Sequence, residues 1–380
     1  MDGVARLLQS LELSAENIAA ATRLSVERVQ AIIEGAPADL SELRALSQGL
    51  RLPMRAFALG RRTADGEGEL SVLFRSAAQR GPRQQQSTVD FVAGFVEAAI
   101  RILPNRARPP EWLGEMRPVE QTSLEAHRLA DRFRDVFLPT QLDAPLTDLP
   151  ALLNDKAEII VGGLRLSRYE GASVVVGGYG FAFVSPRFPG RMLFTLAHEL
   201  GHIIAHHRQG EPAIFDSSTQ IAAWKQRSIN ERFVDTFASA LLLPTRGVAR
   251  ALKAIRTALN ATSDSVGDIE LLYLARFFGV SFEVAARRCE QLKLLPQGGA
   301  TALAEALKKE FGSPEKRADV LGLPPRPEIR IPKVSDRLLL YVVDRIEAGR
   351  VSAGWAAERF GLTIGDLFDA HGRIARERRR

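Results

Sequence analysis

Apolar residues at the start of the chain recur at helical spacing. In the segments AENIAAATRL and VERVQAIIEG they fall every three or four positions, so each segment has one face suited to burial. Ser14 and Ser25 precede these segments and are expected to cap two helices, and Ser41 is expected to cap a third, ELRALSQGL. Two short helices joined by a tight turn predict a helix-turn-helix unit within residues 1–60.

The pattern changes in the middle of the chain, where runs rich in β-branched and aromatic residues alternate with amphipathic segments. AEIIVGGLRL and ASVVVGGYGFAFVS predict strands. LEAHRLADRFRDVF and RMLFTLAHELGHIIAHH predict helices, and further helices are expected around 229–242 and 268–293. The pattern therefore predicts an α+β fold that is mainly helical, with a small sheet.

Breaks in the pattern divide the chain into four regions. The polar, Gly-containing segment RRTADGEGE is expected to be a linker, and RARPPEW interrupts any helix at Pro109 and Pro110. We therefore expect a helix-turn-helix unit at 1–60, a linker and helical segment at 61–115, an α+β domain at 116–295, and a helical C-terminal region with a basic tail at 296–380.

Composition limits the class of protein. Of 380 residues, 46% are hydrophobic and 25% are charged, as is usual for a soluble globular protein, and no apolar stretch approaches the roughly 18 residues of a membrane span. The N-terminus does not have the basic and then apolar segments of a secretory signal. A single cysteine, Cys289, excludes an internal disulfide and fits a reducing compartment. We expect a cytoplasmic protein with no membrane partner.

The net charge of +6 raises the question of nucleic-acid binding. The last eight residues, RIARERRR, hold five Arg and one Glu, so 5 − 1 gives +4 of that charge. Residues 1–60 hold six Arg and seven acids, and 6 − 7 gives −1. Because DNA affinity comes mainly from cations that neutralise phosphates, we expect the N-terminal unit to bind DNA weakly. Arg28 and Gln30 on its second helix are the candidates for contacting DNA bases or a protein partner.

The clearest chemical motif is H-E-x-x-H, in LAHELGHIIAHH. On a helix, His198 and His202 are four residues apart and share one face, so both imidazoles can reach one Zn²⁺. Glu199 lies beside them, where it can take a proton from a water held by the metal as that water attacks a peptide carbonyl. The motif predicts a zinc peptidase site, in which Mn²⁺ can replace zinc in vitro.

A catalytic zinc site needs a third protein ligand. His206 and His207 follow on the same helix, but a rigid helix does not easily bring a third ligand from one turn further on, and we expect both on the surface. Glu231, in NERFVDTFASALLLP, would complete a His₂Glu set. Ser228-x-x-Glu231 also matches a capping box, in which the Glu side chain binds backbone at the helix start. Spacing alone leaves both roles of Glu231 open.

Two segments resemble a known family. HELGH followed by E-x-x-V-D-x-F-A-x-x-L-L-x-P, from Glu231 to Pro244, resembles the ImmA/IrrE-type metallopeptidases. LARFFGVSFEVAARRCEQLKLL is similar to the helix–F-x-V-S–helix segment that closes their domain. The resemblance covers about 120–295, and the N-terminal unit resembles the Xre-type domains often fused to it. A zincin-like domain is therefore expected.

The resemblance also implies roles for single residues. His198, His202 and Glu231 would bind zinc, and Glu199 would be the general base. One departure from the family is Asp235, where Asn is usual. A carboxylate one turn from Glu231 is suited to orient a ligand histidine, or to raise the pKa of Glu231.

The strand run before the motif has an expected role in substrate binding. In a zinc peptidase an extended substrate usually pairs with a sheet edge beside the metal, and VVVGGYGFAFV (174–184) is positioned for this. Tyr179 in this run is a candidate to polarise the scissile carbonyl. A tyrosine packed in a structural strand is the alternative.

Two classes of function fit the sequence. The resemblance implies an endopeptidase that cleaves a regulatory protein, such as a repressor or antitoxin, under stress. The alternative is a helix-turn-helix transcriptional regulator whose peptidase-like domain is a sensor. Glu199 favours the first, because a sensor has no use for a general base. Helix-turn-helix domains also dimerise, so residues 1–60 are suited to recruit a helix-turn-helix repressor as substrate or to form a homodimer.

Overall fold

The computed structural model describes residues 3–10, 13–50, 57, 74, 83–164, 169–208, 212–217, 228–263 and 265–377. The expected linker at 61–69 lies outside these residues. The described chain is mostly helical and contains one small mixed sheet, which confirms the predicted α+β class. None of its helices is both long enough and apolar enough to cross a membrane.

In the described chain a first group of helices is followed by three strands and then by a second group of helices. The fourth strand follows the first helix of that second group. The N-terminal helices are α1 (Gly3–Ser10), α2 (Ala15–Thr22), α3 (Val26–Ile33), α4 (Leu40–Leu50), α5 (Arg83–Ile102), α6 (Glu111–Glu115), α7 (Ser123–Phe137) and α8 (Leu149–Asp155). The strands are β1 (Ile159–Gly163), β2 (Tyr169–Val176), β3 (Tyr179–Val184) and β4 (Ile214–Ser217). The later helices are α9 (Pro189–Ala205), α10 (Ile229–Leu242), α11 (Thr245–Ala258), α12 (Asp268–Phe278), α13 (Phe282–Gln291), α14 (Gly299–Phe311), α15 (Pro314–Val320), α16 (Asp336–Glu347), α17 (Ala353–Phe360) and α18 (Ile364–Glu377).

The N-terminal helices start as the capping residues predict, with one exception. Ser14 and Ser25 accept hydrogen bonds from backbone N–H groups three residues on, at 3.3 and 3.2 Å. The prediction for Ser41 is wrong, because α4 begins at Leu40 and Asp39 Oδ1 accepts the bond from the N–H of Glu42, at 2.8 Å. Asp39 takes the capping position because its carboxylate lies three residues before that N–H. Helices α2 and α3 are packed together, but their helix-turn-helix function stays a prediction.

The sheet has the strand order β1-β3-β2-β4. Strand β1 pairs parallel with β3, whereas β2 pairs antiparallel with both β3 and β4. The single strand expected at 172–185 is instead a hairpin. Gly177 and Gly178 have positive φ angles of 59° and 76°, as a tight two-residue turn between strands requires.

This topology corrects the expected substrate edge. Strand β3 is paired on both sides, so 174–184 does not offer a free edge along β3. Strand β2 is covered on its other side by β4 at residues 169–173. An extended peptide therefore cannot pair with β2 at these positions while β4 is paired there.

The two faces of the sheet pack against different helices because side chains alternate along a strand. On β3, Tyr179, Phe181 and Phe183 enter a core shared with α5 and the C-terminal helices α16 and α17. Ala182 and Val184 enter the other core, which contains α9, α10 and α7. The helix with the H-E-x-x-H motif therefore lies on the opposite face of the sheet from Tyr179.

The later helices agree with the sequence in part. Helix α10 has the predicted bounds. Periodicity predicted helix over 268–293, and the structure has two helices there, α12 and α13, as the resemblance to a helix–F-x-V-S–helix segment implied; Gly279, with a φ of 72°, ends α12. Helix α11 was not predicted. The described residues after 296 are mainly helical, as expected: α14 packs on α13, whereas α16 and α17 pack on α5.

Candidate metal centre

Helix α9 brings the two motif histidines together. His198 and His202 are buried, and their Nε2 atoms are 3.1 Å apart. Gly201 between them allows α9 to approach α10, since a Cβ there would lie only 3.0 Å from the side chain of Val234. The helical spacing predicted from the sequence thus places both rings at one point.

Helix α10 adds Glu231 to this point from its first turn. The carboxylate oxygens of Glu231 lie 3.5 Å from Nε2 of His198 and 3.5 Å from Nε2 of His202. Ser228 caps the helix by accepting from the N–H of Glu231, at 3.2 Å. Capping by Ser228 and proximity of Glu231 to the histidines are therefore compatible, because the first uses the backbone of Glu231 and the second uses its side chain.

Strand β4 contributes a residue that the sequence analysis missed. Oδ2 of Asp216 lies 3.3 Å from Nε2 of His198 and 3.4 Å from Nε2 of His202, and its side chain is only 2% exposed. The segment IFDSS has no motif that marks Asp216. Only the antiparallel pairing of β4 with β2, which sets Asp216 opposite Gly171, brings it to the histidines.

The four side chains of His198, His202, Asp216 and Glu231 form a group that could hold a metal ion. Their facing atoms are separated by 3.1 to 3.5 Å in the five pairs above. Two ligand atoms that each lie about 2.0 Å from a tetrahedral zinc ion are about 3.3 Å apart, so each of these distances is compatible with two ligands of one ion. In addition, Oδ2 of Asp216 and Oε2 of Glu231 are buried and lack a hydrogen-bond partner among the described residues. The arrangement fits a divalent metal ion.

Glu199 lies beside this group and is fully buried. Neither of its carboxylate oxygens has a hydrogen-bond partner in the described part of the chain. Strand β2 leaves room for it at Gly171, where an added Cβ would overlap Oε1 of Glu199. Burial and the nearby negative charge of Asp216 raise the pKa of Glu199 well above its usual value. A raised pKa means that the carboxylate holds a proton more readily, which suits a group that takes a proton from water.

Asp235 holds the other side of the His198 ring. Its Oδ1 lies 3.0 Å from Nδ1 of His198, and both side chains are buried. A carboxylate on the remote nitrogen fixes the tautomer and orientation of a ligand histidine, so that Nε2 faces the metal. Asp235 thus occupies the position expected of a residue that orients His198.

The expectation that His206 and His207 lie on the surface is wrong. Nδ1 of His206 lies 2.8 Å from Nδ1 of His202, on the side of the ring away from the metal group. His207 is buried, and its Nε2 lies 3.1 Å from Oγ of Ser173 on β2. The chain turns back against the sheet at the end of α9, and Arg117 holds this turn by donating to the carbonyls of Ile204 and His207.

Tyr179 is not brought to the metal group. Its hydroxyl donates to the carbonyl of Pro104 at 2.9 Å, and the guanidinium of Arg106 lies 4.9 Å from the centre of its ring. Because the side chain enters the core on the far face of the sheet, the geometry favours the packed tyrosine over a residue that contacts substrate.

Arg28 and Gln30 lie on α3, in the N-terminal unit. Arg28 donates to both carboxylate oxygens of Glu42, at 2.6 and 2.9 Å, and to the carbonyl of Pro37, at 2.8 Å. Gln30 donates to Glu34 at 2.7 Å. Contact with DNA bases would compete with these bonds inside the unit.

A cavity of about 500 Å³ opens beside Asp235. Its walls include Asp235, Phe194 and Ser239 from α9 and α10, and Arg287 from α13. Because Asp235 both lines the cavity and contacts His198, the cavity leads to the ring of a candidate metal ligand.

The metal group lies in the part of the chain that matches a known family. Residues 183–290 match the family model of M78 peptidases described as the IrrE N-terminal-like domain. The matched range contains α9, β4 and α10, and so all four residues of the metal group. No curated protein matches the chain. The match supports the ImmA/IrrE resemblance and the metallopeptidase class for this region.

Proposed function

We propose that the protein is a zinc-dependent endopeptidase in which His198, His202 and Glu231 bind zinc and Glu199 is the general base. The observation that carries this proposal is that His198, His202 and Glu231 meet at one point, with Glu199 buried beside them. The match of this region to a metallopeptidase family supports the same conclusion.

Each residue around the site has a separate role in the proposed reaction. When bound, zinc supplies a Lewis acid that acidifies water and polarises a carbonyl group. Glu199 accepts a proton from the attacking water and then delivers it to the amine nitrogen that leaves. Asp235 keeps Nε2 of His198 directed at the metal position, and His206 does the same for His202.

The proposed substrate is a regulatory protein, such as a helix-turn-helix repressor or an antitoxin, recruited through residues 1–60. The resemblance to Xre-type domains supports this choice. The charge of the N-terminal unit and the internal bonds of Arg28 also favour a protein partner over DNA. The chain would then act as a monomer on its target or as a homodimer formed through the same unit.

The test is cleavage of repressors encoded beside the gene for this protein. Each candidate would be incubated with the protein and zinc or manganese, and products would be identified by mass spectrometry. A matched control is Glu170→Gln, because Glu170 is a buried carboxylate on β2 that is paired with Arg191 rather than with the metal group. Cleavage by the wild type and by Glu170→Gln, but not by Glu199→Gln, is the expected result.

The alternative function, a transcriptional regulator with a sensor domain, predicts a different result. Such a protein would bind an operator specifically and regulate transcription equally well with Glu199→Gln. A Glu199→Gln strain with normal regulation would therefore favour the sensor over the peptidase.

A further inference from the structure

We propose that Asp216 is a fourth protein ligand that closes the metal centre, and that β4 occupies the place where an extended substrate would pair with β2. The consequence for cleavage rests on the proposed peptidase function. The ligand role itself rests on geometry alone and can be tested without a substrate.

The carboxylate of Asp216 lies as close to the two histidines as that of Glu231 does. Oδ2 of Asp216 is 3.3 and 3.4 Å from the two histidine Nε2 atoms, whereas the oxygens of Glu231 are 3.5 Å from them. Asp216 is also more buried, with 2% of its side chain exposed against 17% for Glu231. A zinc site with four protein ligands is closed, whereas a catalytic site keeps one position for water or substrate. Asp216 fills that position.

Strand β4 also covers the backbone that a substrate would use. It pairs with β2 at Gly171, Ala172 and Ser173. Gly171 is the residue that leaves room for Glu199, and Ser173 contacts His207 at the end of the motif helix. This is the part of the sheet beside the metal group, where an extended peptide adds to an edge by main-chain hydrogen bonds. Strand β4 and a substrate would therefore compete for the same edge.

Two neighbouring side chains hold β4 from opposite faces. Asp216 points to the metal group. Phe215 packs on the other face, with its ring centre 5.0 Å from that of Tyr169 and 6.3 Å from that of Phe74. Because β4 has only four residues, we infer that these two contacts, together with its pairing to β2, hold it in place. A substrate can pair with β2 only in an open state, in which Asp216 and Phe215 have both left these contacts.

The first experiment measures metal affinity in the full chain. Zinc binding by the wild type, Asp216→Asn and Glu170→Gln would be measured by competition with a chelator of known affinity, after circular dichroism has shown that each variant is folded. Loss of a residue that only supports a ligand costs about 10- to 100-fold, so loss of Asp216 should cost at least 10-fold. Glu170→Gln should bind zinc as the wild type does. Wild-type affinity in Asp216→Asn would overturn the ligand assignment.

The second experiment asks whether a coordination position is open. Co²⁺ would replace zinc, and azide would be added while the visible absorption of Co²⁺ is recorded. The wild type should show no change, and Asp216→Asn should show a new spectrum that saturates with azide. Phe215→Ala keeps every ligand and should respond to azide in part. Equal azide binding by the wild type and Asp216→Asn would overturn the inference that Asp216 closes the metal centre. A Phe215→Ala protein whose Co²⁺ spectrum, like that of the wild type, does not respond to azide would overturn the inference that Phe215 helps to keep it closed.

Cleavage distinguishes this inference from the proposed function. With a protein substrate in hand, the wild type should cleave only through the fraction of molecules in which Asp216 has left the metal, so Asp216→Asn supplied with saturating zinc should cleave faster than the wild type. A slower Asp216→Asn protein would contradict the closed state. If no variant cleaves any candidate while the zinc and azide results are as expected, the peptidase proposal fails and the role of Asp216 stands.

Discussion

The two faces of the central sheet are equally buried but are built from different side chains. The face against α5 is aromatic: the ring of Phe95 makes edge contacts with Phe183 and Phe360, both at 5.0 Å between ring centres. The face against α9 holds the carboxylates of Glu199 and Asp216. Both oxygens of Glu199 and Oδ2 of Asp216 are buried and lack hydrogen-bond partners in the described chain.

The difference between the faces distinguishes packing from function. Apolar contacts stabilise the first face without any specific ligand. Buried carboxylates without partners are costly unless a cation or a proton compensates them. On the second face that charge can come from the imidazoles of His198 and His202, which lie 3.3 and 3.4 Å from Asp216, or from a metal ion, which its geometry fits. Perturbing each face in turn should affect different properties of the protein.

The largest effect is expected from removing the two imidazoles. The wild type should contain about one zinc per chain, and the double variant His198→Ala/His202→Ala should contain none and cleave nothing. The physical reason is that the two carboxylates alone do not complete a tetrahedral site. Metal content would be measured by mass spectrometry on purified protein. Full zinc occupancy in the double variant would contradict the assignment of His198 and His202 as metal ligands.

The next effect concerns the rate of cleavage without any change in metal. Glu199→Gln should keep its zinc, because Glu199 is proposed as a base and not as a ligand. Its cleavage rate should fall by roughly 10²- to 10⁴-fold, since an amide cannot accept the proton. Zinc content and cleavage rate would be measured on the same sample. A variant that has lost its zinc would show that Glu199 is a ligand.

The aromatic face should respond in the opposite way. Phe95→Ala removes a ring that is fully buried and should cost about 3–5 kcal/mol of unfolding free energy. Zinc affinity of the folded protein should be unchanged, because Phe95 lies on the far face of the sheet from the metal group. Urea unfolding and zinc competition would be measured in parallel. A fall in zinc affinity as large as that of a ligand variant would contradict the separation of the two faces.

A smaller effect on metal affinity distinguishes the two roles of Glu231. If the carboxylate binds zinc, Glu231→Gln should weaken zinc binding by at least about 10-fold and abolish cleavage. If the side chain only supports the helix start, the amide should serve nearly as well. Ser228→Ala is the matched control, because it removes the cap observed at this helix and leaves the carboxylate in place. Normal zinc affinity in Glu231→Gln would assign the residue to the cap.

The smallest effect is expected far from the sheet, in the N-terminal unit. A chain truncated after Gly372, which removes the Arg-rich end, should bind random and locus-derived DNA weakly at two salt concentrations. Arg28→Ala should leave that binding unchanged, because Arg28 is already held by Glu42. Sub-micromolar, sequence-specific binding by the truncated chain that is lost in Arg28→Ala would favour the transcription-factor alternative.

Local spacing was enough to identify the features that lie within one element. The i, i+4 period of a helix places His198 and His202 on one face whatever surrounds them, and Glu199 follows from the same motif. Glu231 needed the resemblance, because its distance from His198 along the chain has no fixed meaning in space. The hairpin at Gly177 was missed although two adjacent glycines are a recognised turn signal.

Tertiary structure alone decided the features that depend on pairing between distant segments. Asp216 and Gly171 are 45 positions apart, and no local rule brings a residue of IFDSS to the histidines of α9. The sequence left Tyr179 open between a contact with substrate and a packed structural role, and alternation along β3, which turns the side chain to the far face, favours the packed role. A helix determines which of its own residues share a face, whereas a sheet assigns its faces and edges only after all of its strands have paired.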